Sequence, residues 1–276
     1  MGEPARVLVN GVPAVEVSAF DRGLSYGDGL FETIRFVGGH APLWSRHMQR
    51  LSLGCRRLGL PSSEPALLLA EAQAITAGLA HAVVRITVTR GLGERGYAPP
   101  PSPQSTRVVA AFDAPSMKGA SYVDGLRLRW CDTALAVQPL LAGMKHLNRL
   151  EQVLARAEWS DPAIGEGLLC DTEGQLISGT MTNVFAVVDN VLTTPLLDVS
   201  GVAGVARAEI LAARPATLVR RMTRHDLARA SEVFLSSSVR GILPVQAVGD
   251  TVYVPGPVTR ALQLYWRGLG FPLEQA

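Results

Sequence analysis

Chemistry that needs a neutral amine has only two side chains to draw on in this sequence, Lys118 and Lys145. The other basic residues are arginines, whose guanidinium stays protonated in proteins. Lys118 lies in a Ser/Gly-containing stretch (APSMKGASY) with nothing around it to tune an amine. Lys145 follows an apolar loop, Pro139-Leu140-Leu141-Ala142-Gly143-Met144, and opens a helical pattern. A lysine in such a place is commonly a solvated surface residue. Against that, a helix N-terminus disfavours a cation, and apolar neighbours depress an amine from its usual ~10.4, which is how a Schiff-base lysine is prepared. If the protein uses an amine, Lys145 is the candidate.

Groups suited to an anion stand elsewhere in the chain. Arg50 follows Arg46 by one helical turn, with Arg56 and Arg57 beyond, although several arginines on one helix are ordinarily a solvated face. Ser236-Ser237-Ser238 ends a strand pattern, and residues 201–206 (GVAGVA) lead into a helix. Both can offer amides and hydroxyls to a phosphate. Jointly with Lys145 they suggest a phosphate-bearing cofactor that forms an imine. Gly91, Gly93 and Gly96 spell GxGxxG directly after a strand, but a dinucleotide fold needs a helix to open there. The following Tyr97-Ala98-Pro99-Pro100-Pro101 cannot start one. The loop reads instead as a mobile element presenting Arg95 and Tyr97, a cation and a hydroxyl suited to a carboxylate.

Composition narrows the classes further. The chain has 276 residues, 47% apolar and 18% charged, so it can bury a core and is not disordered. A formal charge of +2 without a basic run excludes a nucleic-acid binder working through bulk charge. Cys55, Cys131 and Cys170 form no CxxC, and the histidines form no HExxH or HxxxH, so neither a disulfide framework nor a metal site is expected. No signal-peptide pattern opens the chain, and no apolar run reaches the ~18 residues of a membrane span. A soluble cytoplasmic protein is expected.

The elements that must position these residues read as follows. Residues 5–9 and 14–17 flank Asn10-Gly11 as a type I′ hairpin. Residues 30–37 and 41–44 flank Gly38-Gly39 as a second hairpin, and a helix capped by Ser45 runs to about Leu58. A helix over 64–79 precedes strands at 82–89 and 106–112. A linker over 115–122 divides residues 1–114 from a second domain, 123–276, which carries Lys145. That domain opens with a strand at 125–131 and a helix at 145–159, with Leu147, Leu150, Val153 and Leu154 on one face. Strands follow at 167–171, 175–178, 184–188 and 191–194, then helices at 204–213 and 223–229, the latter opened by a Thr223/Asp226 capping pair. Strands at 217–221, 232–236, 242–248 and 251–254 and a helix at 259–268 complete it. Hairpins and helices in separate blocks argue an α+β class.

Several segments resemble a known family. Asp21-Arg22-Gly23-Leu24, Tyr26 through Thr33, and His47 to Arg50 are similar to the N-terminal block of class IV (fold type IV) pyridoxal-phosphate enzymes. Thr182-Asn183-Val184-Phe185 and Glu232-Val233-Phe234-Leu235 also match. The family includes branched-chain and D-amino-acid aminotransferases and aminodeoxychorismate lyases, and residues 140–152 (LLAGMKHLNRLEQ) are similar to the lyase members in particular. The resemblance covers essentially the whole chain. It implies a two-domain α+β fold and pyridoxal 5'-phosphate held as a Schiff base on Lys145. Arg50, the amides of Val205 and Ala206, and Ser237 with Ser238 would hold the phosphate, and Arg95 with Tyr97 would bind the substrate carboxylate. It implies conversion of 4-amino-4-deoxychorismate to 4-aminobenzoate and pyruvate in folate biosynthesis, by a homodimer. An aminotransferase for D- or branched-chain amino acids and a non-catalytic paralogue are the alternatives.

The sequence departs from the family at one point. Relatives carry a glutamate, paired with the pyridine nitrogen, where this chain has Ser178. A serine hydroxyl can hydrogen-bond to that nitrogen but cannot keep it protonated, which weakens the ring as an electron sink. Asp171 and Glu173 are the nearest carboxylates in sequence.

Overall fold

The computed structural model describes residues 6–273, so Ala5, the first residue of the expected opening strand, lies outside it. The chain forms two compact units, Met1–Pro115 with Met144–Asn148, and Ser116–Gly143 with Arg149–Ala276. The fold is α+β, as expected.

In the first unit, β1 (Val7–Val9) and β2 (Val12–Pro13) are joined through Asn10 and Gly11 at φ 51° and 85°, the left-handed pair a type I′ turn requires. Then come α1 (Arg22–Tyr26), β3 (Gly29–Val37), α2 (Trp44–Leu58), α3 (Pro65–Thr76), β4 (His81–Thr89) and β5 (Arg107–Asp113). The sheet runs β2-β1-β5-β4-β3 and every pairing is antiparallel. The hairpin expected across Gly38-Gly39 does not form. Only Val37 and His40 bridge there, the chain enters α2 at Trp44 with Leu43 at the cap, and Ser45 lies inside the helix. β3 pairs along its whole length with β4, from Gly29↔Thr89 to Val37↔His81. That nine-residue ladder, with Trp44 edge-on to Phe36 at 6.3 Å, satisfies β3 better than a four-residue return strand could. The apolar alternates of β4 (Ala82, Val84, Ile86, Val88) are buried, as are Leu68, Ala72 and Ile75 of α3 and Leu51 and Cys55 of α2. Full burial of each larger side chain contributes roughly 1.5–3 kcal/mol.

The second unit holds α4 (Ala120–Val123), β6 (Leu126–Trp130), α5 (Leu150–Ala157), β7 (Ile164–Cys170), β8 (Leu176–Gly179), β9 (Asn183–Val188) and β10 (Val191–Pro195). These are followed by α6 (Val205–Ala213), β11 (Leu218–Arg220), α7 (Arg224–Ala228), β12 (Glu232–Ser237), β13 (Gly241–Val248), β14 (Thr251–Val252) and α8 (Pro257–Gly268). Its sheet is ordered β11-β10-β9-β12-β13-β6-β7-β8, with β14 added on β13. The β10/β11, β13/β6 and β6/β7 pairs are parallel and the others antiparallel. Asp189 and Asn190, at φ 49° and 63°, turn β9 into β10. The expected capping pair is present, with Thr223 and Asp226 bonded reciprocally at the start of α7.

Four expectations differ here. Residues 120–122, the end of the expected linker, belong to α4, and its Tyr122 is buried with the hydroxyl donating to the Arg240 carbonyl at 2.9 Å. Residues 144–148 pack with the first unit, because their backbone bonds to β3. For the same reason the helix expected from 145 starts only at Leu150. Its expected apolar face is inverted: Leu150, Val153 and Leu154 are exposed in the single chain, while Ala155 and Trp159 pack with Cys131, Leu135, Leu169 and Ile177.

Candidate active site

Lys145 sits in an extended segment laid against the start of β3. The Phe31 amide donates to the Lys145 carbonyl at 3.0 Å, the Leu147 amide donates to the Gly29 carbonyl at 3.0 Å, and Leu30 bridges His146. Gly29 is required by this packing, since a Cβ there would lie 2.6 Å from the Val88 carbonyl and 2.8 Å from a Leu147 methyl. Gly27, left-handed at φ 65°, ends α1 and accepts a hydrogen bond from Asn148 at 3.2 Å. The Tyr26–Phe31 stretch is thus the cradle of the Lys145 segment. The amine itself is half-buried, with Nζ 4.2 Å from the centre of the Phe31 ring.

Beside it lies a buried ionic group that the sequence did not reveal. Glu32, on β3, accepts from Arg50 Nε at 2.8 Å and Nη2 at 2.5 Å, and it meets His47 Nδ1 at 2.6 Å. Glu32 and His47 are both 1% exposed. Burial alone would raise the Glu32 carboxyl, but the charge and hydrogen bonds of Arg50, with those of His47, outweigh it and hold it down to about 2. Burial lowers His47, and the nearby charges of Arg50 and Lys145 act the same way against the pull of Glu32. His47 donates through Nδ1 to the carboxylate, which can only accept. The arrangement fixes the plane of the Arg50 guanidinium. One signal could have found it: on a period-two strand Glu32 shares the face of Leu30 and Ile34, and all three are buried.

Arg95 and Tyr97 are exposed, in a loop without a helix between β4 and β5. Each glycine of the GxGxxG run has a local purpose. Gly91 is at φ 82° and a Cβ there would lie 1.7 Å from the Gln104 carbonyl; at Gly93 it would meet the Arg22 side chain at 2.8 Å; Gly96 is at φ 117°.

The second unit carries the remaining predicted residues. Val205 and Ala206 open α6, where Gly204 offers no side-chain cap, so the first amides of the helix have no protein acceptor supplied by it. Asn183 organises this end. Its Nδ2 donates to the Val202 carbonyl at 2.9 Å, and its Oδ1 lies where a Gly204 Cβ would come within 2.0 Å. Asn183 is also the ladder partner of Ser236, so the structure gathers Val205, Ala206 and the end of β12 around one side chain. The Ser236 hydroxyl is buried and has no protein partner among the described residues. Ser237 accepts from the amides of Val239 and Arg240 at 3.2 and 3.3 Å, shaping the turn that holds Ser238. Within the second unit Gly143 is tied to the approach to α6, since its amide donates to the Gly201 carbonyl and the Ala203 amide to the Gly143 carbonyl, both at 3.0 Å.

Ser178 is buried on β8 opposite Leu169. Two carboxylates lie near it in sequence, and the Oδ2 atom of one, Asp171, is buried without a hydrogen-bond partner among the described residues. Asp171 Oδ1 accepts the amides of Glu173 and Gln175 at 3.0 and 2.9 Å to close the β7–β8 turn, and Glu173 is exposed. A second buried carboxylate of this region is Glu166, on β7. It accepts from the amides of Gly167 and Thr180, from the Thr182 hydroxyl at 3.2 Å, and from the Thr180 hydroxyl. Those bonds commit it to shaping the β8–β9 turn. The three cysteines are buried and free; burial pushes the Cys55 thiol up to about 11 and Cys131 to about 12, so neither is a ready nucleophile. Among the described residues no group of three or more His, Cys, Asp or Glu is placed to hold a metal ion, and no helix is long and apolar enough to cross a membrane.

These features agree with comparisons to known proteins. Residues 29–248 match the amino-transferase class IV family, and the chain belongs to it. It is 45% identical to the crystal structure of 4-amino-4-deoxychorismate lyase from Pseudomonas aeruginosa, with a TM-score of 0.90 over 95% of this chain and 98% of that one. It is 35% identical to the aminodeoxychorismate lyase of Vibrio harveyi, over 92% of this chain and 97% of the relative. A putative branched-chain-amino-acid aminotransferase from Methanocaldococcus jannaschii is 31% identical over 86% of this chain and 84% of its own length.

Proposed function

We propose that this chain is an aminodeoxychorismate lyase, a pyridoxal-phosphate-dependent carbon–oxygen lyase that converts 4-amino-4-deoxychorismate to 4-aminobenzoate and pyruvate for folate synthesis. The carrying observation is the near full-length likeness to the Pseudomonas aeruginosa lyase at 45% identity, against 31% for the aminotransferase of Methanocaldococcus jannaschii.

The donor set fits the cofactor in kind. There is one amine, on Lys145, for its aldehyde. For its phosphate there are a guanidinium held in plane, a helix N-terminus without a side-chain cap, and the hydroxyls of Ser237 and Ser238, next to Ser236, whose buried hydroxyl has no protein partner among the described residues. Pyridoxal phosphate, when bound, supplies an aldehyde that condenses with an amine and a ring that takes up electrons released beside it. Lys145 would carry it, with Arg50, the amides of Val205 and Ala206, Ser237 and Ser238 on the phosphate and Ser178 as hydrogen-bond partner of the pyridine nitrogen. The Lys145 amine would also serve as the base toward the proton on the amine-bearing ring carbon of a bound substrate. Arg95 and Tyr97 would receive a substrate carboxylate. Loss of enolpyruvate leaves an aromatic ring, a driving force that offsets the poorer electron sink expected with Ser178.

A homodimer and a cytoplasmic location belong to the same reading. An aminotransferase for D- or branched-chain amino acids is the second reading, because such an enzyme is among the relatives. It predicts spectral conversion of the cofactor to its amine form with amino-acid donors. A non-catalytic paralogue predicts an intact chromophore and no pyruvate. The deciding experiment is a coupled pyruvate assay on aminodeoxychorismate beside Lys145→Ala. Loss of activity together with the visible absorbance supports the assignment, and activity surviving in the variant refutes it.

A further inference from the structure

The loop carrying Arg95 and Tyr97 has no secondary structure of its own, yet it is gripped from one side by a single buried cation. Arg22, on α1, is 4% exposed, and its guanidinium faces three ways. Nε donates to Asp28 at 2.9 Å, Nη1 to the Gly96 carbonyl at 2.9 Å, and Nη2 to the Tyr97 carbonyl at 3.0 Å. The loop is shaped to receive it. Gly93 leaves room for the arginine stem, and Gly96 takes a backbone conformation that side chains rarely adopt. Tyr26, one turn on, accepts the Gly96 amide at 3.0 Å through its hydroxyl and sets its ring 5.5 Å from that of Tyr97. Main-chain bonding from Arg22 to Gly91 and a bridge between Asp21 and Leu92 close the base.

Arg22 is held in turn. Asp28 also receives Arg90, through Nε at 2.7 Å and Nη2 at 3.0 Å, and Arg90 spends its other donors on the Leu58 and Gly59 carbonyls that end α2. A continuous run of charge-assisted bonds therefore links the end of α2, the helix bearing His47 and Arg50, to the loop tip. At both ends the run grips carbonyls, and it leaves the Arg95 and Tyr97 side chains exposed.

We infer that Arg22 is a positioning residue for substrate recognition: by clamping the Gly96 and Tyr97 carbonyls it holds Arg95 and Tyr97 presented to a carboxylate-bearing substrate. The substrate half of this inference rests on the lyase reading above; the clamp itself does not. A lysine keeps the charge opposite Asp28 but has one compact head and cannot reach both carbonyls in a fixed fork.

The test uses the cofactor-loaded full chain with Arg22→Lys and Tyr26→Phe, followed by hydrogen exchange of the loop and by steady-state kinetics on aminodeoxychorismate. Loss of charge-assisted bonds of this kind speeds exchange in the peptide spanning 92–98 by about tenfold or more in Arg22→Lys, with β3 peptides unchanged. KM rises about tenfold with a smaller fall in kcat. Wild-type loop exchange in Arg22→Lys overturns the clamp. Should Arg22→Lys lose protection throughout, Tyr26→Phe decides: it leaves the Arg22–Asp28 pair intact, so faster exchange confined to the loop supports the clamp and unchanged exchange overturns it. Arg95→Ala and Tyr97→Phe separate the two halves. If both keep the wild-type KM, the carboxylate role fails while the exchange result still decides the clamp.

Discussion

Glu32→Gln tests whether a buried carboxylate sets Arg50 in place. The substitution keeps the shape of the side chain and removes its charge, leaving Arg50 and the buried His47 to share a neutral amide. The folded Glu32 carboxyl titrates at about 2 against an ordinary value of 4.5. A carboxyl held below its unfolded value stabilises the fold at pH above 4.5, and that stabilisation is lost as pH falls from 4.5 through 2. The linkage is worth about 3 kcal/mol at pH 7, falls to roughly half by pH 3, and all but vanishes at pH 2. Urea unfolding of wild type and Glu32→Gln, followed at pH 7, 5, 4 and 3, measures it. The variant is expected to be less stable by about 3 kcal/mol at pH 7, with the gap closing only below pH 4.5. A gap that is constant across this range, or absent at pH 7, would refute the reasoning, because the loss would then be steric or the ion pair worthless. The variant is also expected to bind pyridoxal phosphate more weakly, read by equilibrium dialysis, since the amide leaves only one of the two acceptor oxygens that hold the Arg50 plane.

Other predictions concern separate parts of the molecule. Ser178→Glu is expected to raise turnover on aminodeoxychorismate wherever cofactor remains bound, by restoring a charged partner for the pyridine nitrogen; unchanged turnover with full absorbance counts against a weak sink. Gly91→Ala puts a methyl 1.7 Å from the Gln104 carbonyl at a φ of 82°, and is expected to cost about 3 kcal/mol or more in thermal unfolding while exposing the loop to proteolysis. A melting temperature equal to wild type would show that the loop base relaxes freely. Thr223→Ala removes half of the capping box on α7 and is expected to cost about 1 kcal/mol, measurable by urea denaturation, with kcat unchanged.

Much of the secondary structure was legible because its causes are local. Asn10-Gly11 and Asp189-Asn190 are turns by backbone preference alone, and the Thr223/Asp226 pair marks a helix start within four residues. The proline run after Gly96 rules out a helix without any tertiary information. The errors came where pairing is long-range. Nothing near Gly38-Gly39 says that β3 will bond to residues 81–89 rather than to its own downstream segment. The apolar spacing of Leu150, Val153 and Leu154 reads as a core-facing stripe, yet in the single chain the small Ala155 faces inward and those leucines and valine face out. Periodicity identifies an apolar face but not what covers it.

By itself the sequence made Lys145 the candidate for any amine chemistry, since guanidinium cannot supply a neutral base and Lys118 has no tuning environment. It also determined, through motifs spread over the chain, the family to which the protein belongs. Only the tertiary structure decided what holds those residues. The Lys145 backbone is pinned by β3, more than a hundred positions earlier in the chain. Arg50 is oriented by Glu32 at a separation of 18 residues, and Arg22 reaches carbonyls 74 and 75 residues away. The physical reason is common to all three. A charged group can be buried only where its partners converge from several elements, and that convergence is a property of the folded chain, not of any one segment of it.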